Sequence, residues 1–492
     1  MKLKYILCVV ALIATSKSSF AQYAKDAIRY STFGTGSTSR IKGIGNAGTA
    51  VGGDLSSVSG NPAGLGFFTM SEVSLTPEFD GSKSNSIYLN QPGAASKNNL
   101  NLSNAAIVFY SRLNTPSGQD KTKGWLSLNF GMGYNRTNNF DERISYGAKN
   151  SNSSINDYYA SLANSSGVDA GTLQGWAYGQ NLIDQYGSTT TPTYKSNAYP
   201  GVNQLNSITR SGGQSEFDLS LGANYSNKLY LGFGIGITQL RYNSANSFNE
   251  IGTASVLEGS STTGVDRNFN STFTQSQDTK GEGFNAKFGF IYKLLENVRL
   301  GATVTTPTYI TIDDSYSEGL ASSFNNGSNY VDGPADYPLT YKMRTPLKAS
   351  GGLSVFFGKY GFISGDVEYI DYSTTRISSN DNYLADYDNG IIKSNYHAAV
   401  NAHVGAEIKL IGSVALRGGY GIQGSPLKTN GTQTKTATAG LGYRFGSYYV
   451  DAAYVHVTGS QTITPYDVGT LTPTASVNGT NNNVFVTVGY RY

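Results

Sequence analysis

Cysteine occurs once in the 492 residues, as Cys8. It lies inside an N-terminal leader, so the rest of the chain offers no disulfide, no thiol chemistry and no cysteine-held metal. No run of eighteen apolar residues exists, which excludes helical membrane spans. Charge is also scarce, at 14% of residues, well below the roughly 25% of soluble domains. Histidine is limited to His397, His403 and His456. No G-x-S-x-G, P-loop or H-E-x-x-H pattern occurs, so the expectation is a non-enzyme without a cofactor.

The leader itself reads as a signal. Lys2 and Lys4 precede the apolar run Tyr5–Ala14, and Ser19-Phe20-Ala21 precedes Gln22. A basic start, a short apolar stretch and small residues before a cut after Ala21 describe a secretory signal peptide over residues 1–21. Nothing resembling a lipobox precedes Cys8. Removing Lys2, Lys4 and Lys17 takes the formal charge of +3 to zero. A neutral chain lacks the basic face a nucleic-acid partner needs.

What is abundant is glycine, tyrosine and a period of two. Leu126, Leu128, Phe130, Met132 and Tyr134 alternate with Ser127, Asn129, Gly131, Gly133 and Asn135. Segments 217–225 and 229–237 repeat the pattern, with glycines opposite Leu231, Phe233, Ile235 and Ile237. One apolar face and one small or polar face suit lipid outside and a wet lumen inside. About fourteen such segments follow one another from residue 71 to 492. Short turns such as Ser226-Asn227-Lys228 and Ile411-Gly412-Ser413 alternate with long loops, placed at 80–101, 137–213, 246–269, 317–338, 378–393 and 460–480. The last segment, Val484 to Tyr492, ends on an aromatic, the feature barrel-assembly machinery reads. The expected fold is a 14-stranded antiparallel transmembrane β-barrel over 70–492, monomeric, exported to the bacterial outer membrane among its lipids and lipopolysaccharide.

A barrel of this size is too wide to be filled by its own side chains. Residues 22–69 are therefore expected to form a hatch inside the lumen. The stretch "GDLSSVSGNPAGLGFF" (53–68) has no strand period, but Ile41, Ile44, Val51, Leu55, Val58 and Leu65 supply apolar surface. Asp54 fits the N-cap of a short helical turn, and Pro62 biases Asn61 away from helical geometry. In the long loop 137–213, Ile155, Tyr158, Tyr159 and Leu162 recur at helical spacing, as do Leu173, Trp176, Ile183 and Tyr186. These helices would form an apolar cap over the mouth or an ordered loop packed on itself.

The run Arg40–Phe68, ending in Asn-Pro-Ala-Gly-Leu, resembles the hatch of the FadL/TodX outer-membrane transport family. The segments "VRLGATVTTP" (298–307), "LKASGGLSV" (347–355), "SGDVEYIDYS" (364–373), "ALRGGYGIQGSPL" (415–427) and "TAGLGYRF" (438–445) continue the resemblance in order. The resemblance implies passive uptake of hydrophobic small molecules, such as long-chain fatty acids, gated by the hatch. Asn61, Pro62, Ala63, Gly64 and Leu65 then fall on the hatch motif. It further implies ligand contacts near the hatch and between outer loops, for which Phe67, Phe68, Tyr158, Tyr159, Leu162, Trp176 and Arg417 are the candidates. A lateral opening in the third strand would fall at Gly131 and Gly133, which equally well relieve crowding in a twisted strand. Two other readings stay open: a barrel of this type serving as a secretion scaffold or cargo shuttle, and a porin for polar solutes.

Remaining chemistry has plain explanations. Gly43–Gly48 matches G-x-G-x-x-G but has no strand before it and no long helix after it. Parity puts His397 and His403 on one inward face with Asn401 and Glu407, a metal set on paper and a polar lumen wall in a barrel. The same parity aims Lys287, Arg299, Arg417 and Arg444 inward with Asp218, Asp366, Glu368, Glu407 and Asp451, where pairing between opposite charges is expected.

Overall fold

The computed structural model describes residues 17–492 except 33, 35, 115–119, 189–190, 258–262, 380–381 and 411–412. Cys8, most of the expected leader and two residues of the turn at Ile411-Gly412-Ser413 lie outside the described residues. No described helix is long and apolar enough to cross a membrane.

Alternation along the chain becomes alternation in space. Eighteen strand segments join in one antiparallel sheet, and because four staves are each interrupted once, they make fourteen staves. The first six are β1 (Glu72–Tyr88), β2 (Gln91–Phe109), β3 (Trp125–Asn139, then Glu142–Asn150), β4 (Val202–Tyr225), β5 (Leu229–Leu257) and β6 (Gly264–Leu295). Next come the interrupted staves β7 (Val298–Thr305, Tyr309–Phe324), β8 (Asn329–Arg344, Lys348–Phe356) and β9 (Gly361–Asp371, Arg376–Ser378). The circuit ends with β10 (Ala398–Lys409), β11 (Val414–Gln423), β12 (Thr434–Phe445), β13 (Tyr448–Ile463) and β14 (Ala475–Arg491). β14 pairs back onto β1, with Arg491 opposite Glu72 and Val488 opposite Leu75. Closure leaves no edge at this junction to recruit another chain.

The outward face carries Leu219, Leu221, Phe233, Ile235, Phe288 and Val404, all exposed, as a lipid-facing band requires. Aromatic rings gather at the end of the barrel holding the short turns, where Tyr443, Phe445, Tyr448, Tyr490 and Tyr492 form successive ring contacts. The expected turn at Ser226-Asn227 is present, both residues at positive φ (55° and 53°), the backbone of a type I′ hairpin turn.

Two kinds of expectation need correction, loop bounds and a loop helix. The expected loops 246–269 and 317–338 are largely strand, because β5 runs to Leu257, β6 starts at Gly264, β7 runs to Phe324 and β8 starts at Asn329. Residues 80–101 are no loop: β1 and β2 run on to a tight turn at Leu89 and Asn90 (φ 46° and 66°). Beyond the membrane both faces of a strand meet water, so Ser and Asn fill positions that would otherwise betray the alternation. The second concerns the loop helix expected over 173–186, which stops at Gly179. Asn181 turns the chain at φ 56°, and Ile183–Ser188 pairs with Thr191–Ser196 as a hairpin.

Candidate functional site

The lumen is filled in two storeys. The lower storey, towards the short turns, holds the segment preceding β1. It contains a one-turn helix, α2 (Ser39–Gly43), following the N-terminal helix α1 (Lys17–Ser31). Asp54 accepts from the Ser56 N–H at 2.9 Å and caps a 3-10 turn, Leu55–Val58. Pro62 does not merely end that turn. It begins another, Pro62–Phe67, whose cap is Asn61, accepting from the Ala63 N–H at 3.1 Å. Proline suits a first helical position because its missing N–H would be unpaired there.

The five residues of the Asn61–Leu65 motif sit between hatch and wall. The Asn61 amide donates to the Thr49 carbonyl at 2.7 Å, and also reaches Phe290 on β6 and Ala302 on β7. Pro62 and Ala63 lie directly on Gly232 and Gly289, where an added Cβ would collide with Asn61, Pro62 or Ala63. Gly64 packs against Ser57 in the first turn, and Leu65 with Val58 covers Gly131. Across the barrel the Ile44 backbone rests on Gly405 and Gly419 in the same way. Thr49 N–H donates to Asp366 at 2.8 Å, Ser39 N–H to Thr487 at 2.8 Å, and Arg40 binds Glu407 at 2.8 Å. The hatch is thus fastened around most of the circumference, backbone against glycine.

Of the ligand candidates near the hatch, Phe68 is buried beside Leu65 and Val108, and Phe67 stacks on Tyr230 with ring centroids 3.7 Å apart. Arg417 is placed in an ion-pair network: it binds Glu407 at 2.7 Å and Asp451 at 2.6 Å, with its side chain 1% exposed. The His403 ring meets the Gly45 carbonyl, and no metal-holding group of His, Cys, Asp or Glu exists among the described residues.

The upper storey is occupied by α1, which the sequence reading left unresolved. Ala24, Ala27, Ile28 and Tyr30 fill an apolar chamber lined by Leu240, Tyr242, Ile310, Ile312, Tyr341 and Met343. Their i, i+3, i+4 spacing was the available signal. Above α1 lies α5 (Asn382–Asn395), in the outer loop after β9, contributing Ile392. (The loop helices before it are α3, Ile155–Ser166, and α4, Leu173–Gly179.) Asp388 of α5 is buried against α1, and burial, aided by Asp26, pushes its carboxyl from the ordinary 3.8 up to about 7, despite the Ala24 backbone N–H aimed at it. A raised carboxyl value means α1 docking is strongest at low pH and weakens as pH climbs from about 4 through about 7. A spin label at Lys25→Cys should therefore gain mobility between pH 5 and pH 8, and Asp388→Asn should remove that dependence. A label equally immobile at both pH values would contradict this coupling.

The wall has a partly paired seam between β2 and β3. β2 and β3 are paired only from Asn104–Asn135 to Phe109–Phe130. Past Asn135 the β3 strand bulges at Arg136–Asn138 and keeps only its β4 partner. β2 residues 91–103 have no described strand partner on that side. The outer half of β3 passes behind the β1–β2 hairpin, where Ser86 donates to the Ser145 carbonyl at 2.6 Å and Lys97 binds Asp141 at 2.7 Å. Outside this seam is an apolar groove of ≈ 660 Å³, lined by Leu75, Ile107, Met132, Gly133 and Phe217 among others. On its inner side Gly133 meets Ala106 and Val58 of the hatch, so at this position no side chain of β3 stands between hatch and groove.

At the outer end, α3 is held by a capping box at Ser154 and Asp157 and by Glu250, which accepts from the Ile155 N–H at 3.1 Å. Tyr159 and Trp176 point into the core beneath, with Phe248, Phe269 and Phe273. Tyr158 and Leu162, half-buried at the edge of the same cluster, also line a groove of ≈ 730 Å³ with Tyr199, Val468 and Leu471. Of the four outer-loop ligand candidates, Tyr159 and Trp176 are thus buried in the core, while Tyr158 and Leu162 reach the groove from its edge.

A closed fourteen-stave antiparallel barrel plugged from its own N-terminal segment is an outer-membrane-type channel fold. It is the FadL/TodX fold. A FadL homologue from Pseudomonas aeruginosa matches with a TM-score of 0.52 at 14% identity, covering 93% of this chain and 98% of that one. The CymD monoaromatic hydrocarbon channel gives 0.51 at 12% over 93% and 98%, and the toluene transporter TodX of Pseudomonas putida gives 0.50 at 14% over 92% and 98%. No protein-family model matches the sequence. No curated protein matches it either.

Proposed function

We propose that the protein is an outer-membrane channel for passive uptake of uncharged hydrophobic molecules, loaded from outside and released sideways through the β2–β3 seam. One observation carries the reading: the hatch is fastened to the wall around the axis, while β2 loses its β3 partner beyond Asn104–Asn135, next to an apolar groove on the outer face of the same two staves. Apolar burial at the Tyr158–Leu162 groove, then in the chamber that α1 fills, supplies successive favourable sites. Hatch movement gates the path by uncovering Gly131 and Gly133. Two of the structural neighbours are channels for toluene and for monoaromatic hydrocarbons, and a neutral cargo also suits the charges here. Lys97 and Arg136 near the seam share Asp141, and Lys287 already faces both Glu216 and Asp218. A carboxylate ligand would find each of these cations taken.

The test is uptake. Vesicles carrying the protein should accumulate a labelled aromatic hydrocarbon faster than vesicles without it; equal rates would remove the proposal.

A further inference from the structure

A third cavity, of ≈ 1000 Å³, opens on the outer wall across β5 to β9. Its position relative to the bilayer follows from the residues around it. Along β5 the outward side chains run Leu231, Phe233, Ile235, Ile237 and then change to Gln239 and Arg241. Along β6 they run Phe290, Phe288, Ala286, Phe284 and then change to Glu282, Lys280 and Asp278. The apolar band therefore ends at the row Ile237–Phe284–Tyr309, at the end of the barrel that carries the long loops. Phe284 and Tyr309 stack there at 5.9 Å, as an interfacial aromatic girdle does.

The same row continues into cations. Tyr309 is opposite Arg344, and Arg344 is directly opposite Arg376. One pair further out, Lys342 sits between Thr311 and Ser378. Like charges directly opposed across a ladder repel and are normally avoided. Among the described residues no carboxylate pairs with them. Arg376 donates to the Ser373 and Thr375 carbonyls at 2.7 Å, Arg344 reaches the Thr374 carbonyl at 3.4 Å, and none of the three cations forms a described ion pair. Glu282, the one carboxylate lining the cavity, lies beyond Thr311 from Lys342.

Three uncompensated cations above an apolar floor, at the outer membrane boundary, match an anionic amphiphile. We infer that this cavity binds a phosphorylated lipid of the outer leaflet, of the lipopolysaccharide class. Its phosphate lies on Arg344, Arg376 and Lys342, and its acyl chains cover Phe284, Ile237 and the band below. Guanidinium forks suit phosphate oxygens, and neutralising opposed arginines removes their repulsion. The inference rests on the outer-membrane reading but not on transport.

Native mass spectrometry of the full-length protein in detergent, titrated with lipopolysaccharide, tests it. Arg344→Gln with Arg376→Gln should lower the lipid affinity about tenfold or more, the scale of losing charge-assisted hydrogen bonds. Lys342→Gln alone should weaken it less, and Lys121→Gln with Lys123→Gln, exposed at a turn on the opposite end, should leave it unchanged. Folding of each variant is read by its heat-dependent gel shift, and hydrocarbon uptake by the arginine variants should equal that of the parent, which separates this site from the channel. Unchanged lipopolysaccharide binding in the folded arginine variants would overturn the inference. So would equal loss in the lysine control, equally tight binding of phosphatidylglycerol, or complete displacement by millimolar inorganic phosphate.

Discussion

Deleting residues 22–66, the hatch together with most of α1, should turn a closed barrel into an open pore while leaving insertion intact. The barrel staves pair with one another throughout the circuit, so their ladders do not depend on the hatch. What the hatch adds is closure: Ile44 on Gly405 and Gly419, Pro62 on Gly232, Leu65 and Val58 on Gly131. With those contacts gone, the lower lumen is lined by glycine backbone and by Asp366, Glu407 and Arg417, a polar bore that water fills. Single-channel conductance in planar bilayers should rise about tenfold or more over the full-length protein, as expected when a barrel of this width loses its filling. Unchanged conductance would mean that the segment is no plug. The deletion also strips Arg40 from Glu407, but Arg417 remains to neutralise that carboxylate.

Replacing Lys287 by methionine should be the most damaging single substitution in the wall. Lys287 is buried on β6, bonded to Asp218 at 2.6 Å and also to Glu216, both on β4. Asn135 donates to the far oxygen of Asp218 at 3.0 Å, and Thr238 donates to Glu216 at 3.2 Å. Removing the ammonium leaves two carboxylates facing each other with no cation. Stripping one partner from a buried ion pair costs about 3–5 kcal/mol, chiefly through the charge left behind. Urea unfolding followed by tryptophan fluorescence should show a loss of that order. Replacing Lys287, Glu216 and Asp218 together by apolar residues of like size should restore most of it. A Lys287→Met protein as stable as the parent would mean the cluster contributes no net stability.

Much of this architecture is legible in the chain because a membrane imposes a strict code. Within the bilayer every second residue must be apolar, so segments such as 217–225 and 229–237 announce both strand and facing. The inward parity of Lys287, Glu407, Asp366 and Arg417 follows from the same count, and their pairing from the cost of isolated buried charge. Outside the bilayer the code lapses. The Ser- and Asn-rich residues 80–101 carry no contrast between faces, which hides the β1–β2 hairpin. The α1 helix was obscured differently: Ala24 and Ala27 are small, and the stripe abuts the expected leader. Neither the early end of pairing at Asn104–Asn135 nor the opposed Arg344 and Arg376 is visible from one strand alone, because each is a property of register between strands. Gly131 and Gly133 show the limit most clearly. Alternation places them inward, but only the hatch residues Val58 and Leu65 behind them reveal what that space holds.

The measurement closest to the central claim compares two solutes in the same vesicles. A labelled neutral aromatic hydrocarbon and a polar solute of similar size are presented outside, with and without the full-length protein. The account predicts faster accumulation of the hydrocarbon only, with no increase for the polar solute and no steady ion conductance. Equal acceleration of both would contradict it in favour of a water-filled porin, and acceleration of neither would leave a sealed barrel that transports nothing.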